Sequence, residues 1–281
     1  MKPRDSVALL GVGLIGGSIG LAMRKRKLAR RIIGLGRNSS RLRSARRRGA
    51  VTATSTRWET GVAGAELIVV CTPVGQIVEH VLELAEYCTG PTLITDVGST
   101  KRHIVESLQD QLPAHVQFVG SHPMAGSEKT GVQHSRADLF AGRVAIVTPT
   151  SSTPKEAIKS VCLFWEALGS RVITMAPGVH DQAVGAVSHL PHVVATVLAA
   201  ASSRREQQLV SSGWMDTTRI AAGDARLWQQ ILEDNKVHVL KSIDQFAELL
   251  QQFRDALAED DRRSVSRILK AGKRNRDALG S

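Results

Sequence analysis

The chain has 281 residues, 42% apolar and 22% charged, with 37 Lys and Arg against 26 Asp and Glu for a formal charge of +11. That length predicts two domains with enough core to need no disulfide scaffold, and that composition excludes an intrinsically disordered chain. The basic excess invites a polyanion. Yet the aromatics are few (5 Phe, 4 Trp, 1 Tyr) and none interleaves with the basic runs at 24–27 and 41–48, so these read as a solvated face or a field that draws in a small anion, not a nucleic-acid surface. Cys71, Cys88 and Cys162 lack the paired spacing of a zinc or redox site and fit a reducing cytoplasm.

The first element has a misleading look. Lys2 and Arg4 precede an uncharged run, Ser6 to Met23, that superficially resembles a signal peptide or a short membrane span, but its five glycines suit neither. The same residues predict a buried strand at 7–10, a turn at 11–18 and a helix at 19–27. The turn matches G-x-G-x-x-G. Gly11 permits a tight turn, Gly13 lets backbone approach a pyrophosphate, Gly16 lets helix pack on strand, and the amides around Leu14 and Ile15 open the helix toward phosphate.

A second strand starts at Ile32 and runs into Gly36-Arg37-Asn38-Ser39-Ser40-Arg41. Dinucleotide-binding folds that take NAD place an acid here for the ribose hydroxyls. Gly36 stands in that place, while Arg37, Asn38 and Ser39 offer a cation and polar groups suited to a 2′-phosphate, so NADP is expected over NAD.

Further strands are predicted at 67–73, 92–96, 116–121, 143–147 and 171–175, with helices at 77–87, 101–111 and 155–168. Strands alternating with helices imply an α/β doubly wound, mainly parallel sheet over residues 1–176. Beyond it only helical periodicity continues, so 177–281 is expected to be all-α. Its apolar stretch 183–201 predicts burial against a partner subunit, hence a homodimer.

Polar residues gather at predicted strand ends, where such sheets bind ligands. Thr72 and Pro73, the segment Asp96 to Lys101 with Ser99, and the segment Ser121 to Glu128 are expected to line one crevice. His122 is the candidate base there, because a neutral imidazole is poised near pH 7. If 180–192 is helical, Asp181, Gly185, Ser188 and His192 share one face, with Pro191 as a kink. No third-ligand spacing supports a metal. Arg219, followed by Trp228, is the candidate clamp for a carboxylate.

Taken in order, Gly11-x-Gly13-Leu14-Ile15-Gly16-Gly17-Ser18, Asp96-Val97-Gly98-Ser99-x-Lys101, Ser121-His122-Pro123-Met124-Ala125-Gly126, Ser188-His189-Leu190-Pro191-His192 and Thr218-Arg219-Ile220-Ala221 with Trp228 resemble the prephenate/arogenate dehydrogenase family of tyrosine biosynthesis, from about Val7 to Arg276. The resemblance implies a Rossmann domain followed by an all-α dimerisation domain, and oxidative decarboxylation of a cyclohexadienol to a phenol with hydride transfer to a nicotinamide. By position it implies that His122 engages the ring hydroxyl, Ser99 orients histidine and cofactor, and Arg219 holds a substrate carboxylate. It also implies that His192 and Asp181 are pocket residues and Glu128 a mouth residue. Ser188 joins them as a substrate-binding candidate on the polar stripe. Gly36 and Arg37 depart from the acid found in many relatives. The length leaves no room for the chorismate mutase or regulatory domain that some relatives carry, so any tyrosine feedback is expected at the active site.

Two other readings stay open from sequence. One is a 3-hydroxyacid-type dehydrogenase using a helical-half lysine, for which Lys236 is available; the other is a basic binding protein that retains a nucleotide fold without activity.

Overall fold

A computed structural model of the chain describes residues 2–127 and 129–280. Strands β1 (Arg4–Leu10), β2 (Ala29–Leu35), β3 (Ala53–Ser55), β4 (Leu67–Val70), β5 (Thr92–Asp96), β6 (Val116–Pro123), β7 (Val144–Thr148) and β8 (Arg171–Thr174) form one sheet in the order β3-β2-β1-β4-β5-β6-β7-β8. Every pair is parallel except β6 with β7, where His122 lies opposite Ile146. Helices α1 (Leu14–Lys25), α2 (Ser39–Arg47), α3 (Trp58–Val62), α4 (Ile77–Glu86), α5 (Arg102–Leu108) and α6 (Lys155–Ala167) connect the strands. The doubly wound sheet is therefore as expected, with a short β3 that carries no apolar run to betray it.

Both faces of the sheet are covered, as parallel strands require. Along β1, Val7 and Leu9 enter one buried apolar cluster with α1 and α6, whereas Ala8 and Leu10 enter the other with α4 and α5, following the two-residue period of a strand. The chain leaves β1 toward β2 and β3 on one side and returns through β4 on the other. That reversal opens a crevice at the carboxyl ends of β1 and β4. The glycine turn sits there: Gly11 has φ +87°, and a Cβ on Gly16 would lie 2.3 Å from the Gly11 carbonyl oxygen. Any side chain at Gly16 would push α1 off the strand.

After β8 no strand follows among the described residues. Helices α7 (Pro177–Val184) and α8 (Leu190–Ala201) are joined by a π-turn at Gly185–His189. Pro191 has no N–H to give to residue 187, and the wider turn absorbs that loss within a continuous helical path. Extra residues in the turn shift the register, so the single polar face expected of Asp181, Gly185, Ser188 and His192 does not run straight through. Asp181 and His192 are buried while Ser188 is only half-buried. Helices α9 (Ser212–Thr218) and α10 (Ala225–Asp234) complete a compact unit that ends at Asn235. A second unit, 236–281, holds α11 (Lys236–Ala258) and α12 (Arg262–Asp277), the latter capped by Asp261 accepting from Arg263 N at 3.0 Å and Ser264 N at 3.1 Å.

A buried charge organises the centre of the first unit. Asp96, at the end of β5, accepts from Gly98 N (2.8 Å), Ser121 N (3.0 Å) and the Lys101 ammonium, and neither Asp96 nor Lys101 is exposed to solvent. Ser121 Oγ donates to the Asp96 carbonyl at 2.6 Å and accepts from Trp165 Nε1 at 2.9 Å, tying β5, β6 and α6 together. Removing one member of such a pair strands the other charge. Lys101→Met is expected to lower stability by about 3–5 kcal/mol in urea unfolding, whereas substitution of exposed Lys25 leaves the midpoint nearly unchanged.

Candidate active site

The carboxyl ends of the central strands open onto a cavity of about 560 Å³. Gly13, Leu14 and Ile15 form its floor at the start of α1; Thr72 and Pro73 follow β4, Ser99 follows β5, and His122 ends β6. Across from them stand Arg219, on the single turn Arg219–Ala222, and Trp228 on α10. An imidazole from the sheet and a guanidinium from the helical region thus share one cavity, which is the juxtaposition the sequence motifs call for.

The His122 ring is almost wholly buried, at 8% exposure, and its Nδ1 lies 2.9 Å from His180 Nε2. His180 Nδ1 in turn lies 2.7 Å from Asp181 Oδ1. Burial pushes the His122 pKa well below the usual histidine value, and the neighbouring His180, Lys101 and His189 push the same way. The ring is therefore neutral at physiological pH, the form that can accept a proton. Asp181 is pushed up by burial, but the hydrogen bonds from His180, Arg102 N and Lys101 N outweigh that and hold it below the usual carboxylate value. Its two oxygens accept from Lys101 N at 2.8 Å and Arg102 N at 2.9 Å, closing the start of α5.

His189 sits one layer behind. Asn235 Nδ2 bridges the Asp181 carbonyl (2.8 Å) and His189 Nδ1 (3.1 Å), and burial pushes His189 down to about 4. His192 stacks flat on Trp228, with centroids 3.5 Å apart and planes 7° from parallel, and hydrogen-bonds the backbone of Ile220. It thereby braces both the cavity wall and the turn that carries Arg219.

The floor fits a dinucleotide. A Cβ at Gly13 would meet nothing within 4 Å, so open space begins at that backbone, and α1 starts with neither a side-chain cap nor an acid in its first turn. Gly11 and Gly16 shape the turn beneath without lining the cavity. At the end of β2, Arg37 is exposed, Asn38 caps α2 by accepting from Arg41 N at 3.0 Å, and the Ser39 hydroxyl accepts from Arg43 Nη1 at 3.2 Å. Thr72 Oγ1 lies 3.0 Å from His80 Nδ1, and burial pushes His80 down against the opposing pull of Glu79 and Glu83. Among the described residues no group of three or more His, Cys, Asp or Glu is arranged to hold a metal.

Residues 19–174 match the nucleotide-binding domain and residues 176–271 the dimerization domain of prephenate dehydrogenase. The chain belongs to the prephenate dehydrogenase family. It is 34% identical to prephenate dehydrogenase of Bacillus subtilis (strain 168) over 98% of this chain and 76% of that protein. It is 34% identical to cyclohexadienyl dehydrogenase of Zymomonas mobilis over 72% of this chain and 71% of that protein. The crystal structure of Aquifex aeolicus prephenate dehydrogenase with hydroxyphenyl propionate and NAD+ superposes with a TM-score of 0.90 at 31% identity, covering 98% of each chain. Synechocystis arogenate dehydrogenase gives 0.82 at 28% identity, covering 98% of this chain and 99% of that one. A 3-hydroxyisobutyrate dehydrogenase of Mycobacterium tuberculosis, at 14% identity and a TM-score of 0.54 over 80% of this chain and 73% of that one, shares the fold alone.

Within this family member, the residues singled out from sequence fall into three places. His122, Ser99, Arg219, Thr72, Pro73, Gly13, Leu14 and Ile15 line the cavity. Asp181, His192 and Ser188 stand outside the lining, the first two as braces of residues that do line it. Arg37, Asn38 and Ser39 cluster at the outer end of β2, and Glu128 lies outside the described residues. His180 escaped sequence reasoning: it adjoins Asp181, but its partner His122 is 58 residues away and no periodicity joins them. Asn235 escaped for the same reason, its partners Asp181 and His189 being distant in sequence, whereas Lys101 was quoted in the Asp96 to Lys101 motif without its ion pair to Asp96.

Burial of neutral imidazoles couples stability to pH. His189 and His122 bind protons in the unfolded chain near pH 6.5 and resist them when folded, so stability is full above about 6.5 and falls on acidification. For His189 the loss extends to about pH 4. Urea unfolding between pH 7 and 4 is expected to show a falling free energy, with a shallower slope in His189→Asn.

Proposed function

We propose that the chain catalyses the oxidative decarboxylation of prephenate, with arogenate as the alternative substrate, at the cavity between His122 and Arg219. The observation that carries the reading is the presence of those two side chains on opposite walls of one cavity floored by a glycine turn open to a dinucleotide. The family relationship supports the same reading.

The substrate is a cyclohexadienol with a hydroxyl at one ring carbon and a carboxylate at the carbon opposite. A bound nicotinamide dinucleotide supplies the hydride acceptor. His122 takes the hydroxyl proton as that ring carbon becomes a carbonyl, and the dienone so formed draws in the electron pair of the departing carboxylate. Carbon dioxide leaves, the ring becomes aromatic, and the oxygen recovers a proton from His122. Arg219 anchors the substrate as an anion, fixing its hydroxyl against the imidazole. Ser99 lines the same cavity as His122 and orients ring and nicotinamide, while Thr72 and Pro73 border the dinucleotide. His192 holds the Arg219 turn in place, and Asp181 acts from behind His180. Glu128 is assigned to the substrate side, whereas Ser188 stands outside the cavity lining and is not retained in that set.

Arg37, with Asn38 and Ser39, receives the adenosine ribose, and the absence of an acid at Gly36 favours NADP. Residues 1–176 hold the dinucleotide, whereas 177–281 supplies the anion anchor and the contact of a homodimer. The exposed apolar side chains Val187 (71%) and Val197 (61%) on that helical stretch support the dimer. Three free cysteines and a small soluble substrate suit the cytoplasm.

Steady-state assays with both substrates and both dinucleotides test this reading. Arg219→Ala is expected to raise KM for prephenate about 10-fold or more with a smaller change in kcat. His122→Asn is expected to lower kcat about 100-fold or more while dinucleotide affinity stays intact. Arg37→Ala is expected to lower kcat/KM for NADP about 10-fold and leave NAD nearly unchanged; equal losses with both dinucleotides would remove Arg37 from phosphate recognition.

A further inference from the structure

The chemistry proposed above asks for one histidine, yet the structure holds a second, wholly buried histidine against it. His180 is 0% exposed and bridges His122 Nδ1, at 2.9 Å, and Asp181 Oδ1, at 2.7 Å. Asp181 is itself immobile, because both its oxygens also accept backbone N–H groups at the start of α5. A carboxylate only accepts, so the hydrogen in its contact with His180 sits on His180 Nδ1. With that hydrogen on Nδ1, His180 Nε2 serves the next contact as acceptor through its lone pair. The hydrogen in the next contact must therefore come from His122 Nδ1, which leaves the His122 Nε2 lone pair as the free one.

Resting on the function proposed above, we propose that His180 is a positioning residue that, backed by Asp181, fixes His122 in the Nδ1–H tautomer and so turns the basic Nε2 toward the substrate hydroxyl. An isolated neutral imidazole divides between two tautomers, and only one of them can take a proton through Nε2. The two rings meet edge to face at 67°, with centroids 5.1 Å apart, which also fixes the plane of His122. His180 is not needed to hold α7 against α5, since Asp181 reaches the α5 amides directly. Its bond to His122 is thus separable from the packing that surrounds it.

Nitrogen-15 NMR of histidine-labelled full-length protein, without substrate, reads the tautomer directly, with the His122 signals identified by their loss in His122→Asn. The expected spectrum near neutral pH shows His122 with Nδ1 protonated and Nε2 bare; the opposite tautomer in the wild type would overturn the proposal. His180→Phe keeps a ring of similar size without its nitrogens. It is expected to return His122 to a mixture of tautomers and to lower kcat about 100-fold, with substrate KM and dinucleotide affinity within about 3-fold. His180→Gln, whose amide carries one acceptor and one donor, is expected to recover about 10-fold of that loss. An unchanged tautomer and unchanged kcat in His180→Phe would also overturn it.

The kcat dependence on pH is a further reading. The charged or titratable groups around His122 are His180 from α7, Lys101 from the β5–α5 connection, His189 from the π-turn, Asp181 behind His180 and Arg219 across the cavity. Loss of His180 removes the acceptor that steadies a protonated His122 through its Nδ1–H, so the acid limb of the profile is expected to move downward in His180→Phe, and an unmoved limb counts against the proposal. Should the wild type oxidise neither prephenate nor arogenate, the proposed function fails, while the tautomer assignment is still decided by the spectrum alone. Should His180→Phe fail to fold, the wild-type spectrum decides it.

Discussion

A carboxylate buried away from water must have its lone pairs filled, and Asp181 fills them from two directions at once. The amides of Lys101 and Arg102 come from the end of the sheet, and the His180 ring comes from its own helix. Satisfying this one group therefore locks α7 onto the start of α5 and presents His180 to His122. Asn235 adds a bond to the Asp181 carbonyl, which brings the end of α10 into the same arrangement. The wall that carries Trp228 is then fixed relative to the strand that carries His122. A base and an anion anchor on separate segments can serve one small molecule only if those segments are held in this way.

The electrostatics follow from the same arrangement. Lys101 and Asp96 neutralise each other in a solvent-free layer beneath the cavity. The ammonium also acts on His122, discouraging a second cation there. Burial works in the same sense, so the imidazole stays neutral and ready to accept a proton. The Arg219 guanidinium, proposed as the anion anchor, stands instead on the exposed side of the cavity. In the proposed reaction the opposite demands of proton abstraction and anion binding fall on one group placed deep and another near solvent.

What the sequence disclosed was local. The glycine turn was readable because Gly11, Gly13 and Gly16 obey steric rules within a few residues of one another. The strands were readable because 7–10 and 67–70 are apolar on both faces and 92–96 is a short run of mostly β-branched residues, whereas β3 offered three residues of no particular character. Arg219 and His122 were readable as chemistry, but their meeting depends on helices folding back over the crevice. Asp181 was recognised without its geometry: it serves the site through His180 and through the amides of α5. The π-turn was hidden because Pro191 announces a disturbed helix without saying how the disturbance is absorbed. His180 remained unseen because its significance lies in a contact between residues distant in sequence.

In the proposed reaction one substrate is gripped between His122 and Arg219 above a dinucleotide. A crystal structure of this chain with NADP+ and hydroxyphenyl propionate tests it most directly. The phenol oxygen is expected within hydrogen-bond reach of His122 Nε2, the carboxylate against the Arg219 guanidinium, and the pyrophosphate over the amides at Gly13 and Leu14. An analogue seated outside this cavity, or lying in it with its hydroxyl on Arg219 and its carboxylate away from both groups, would contradict the account.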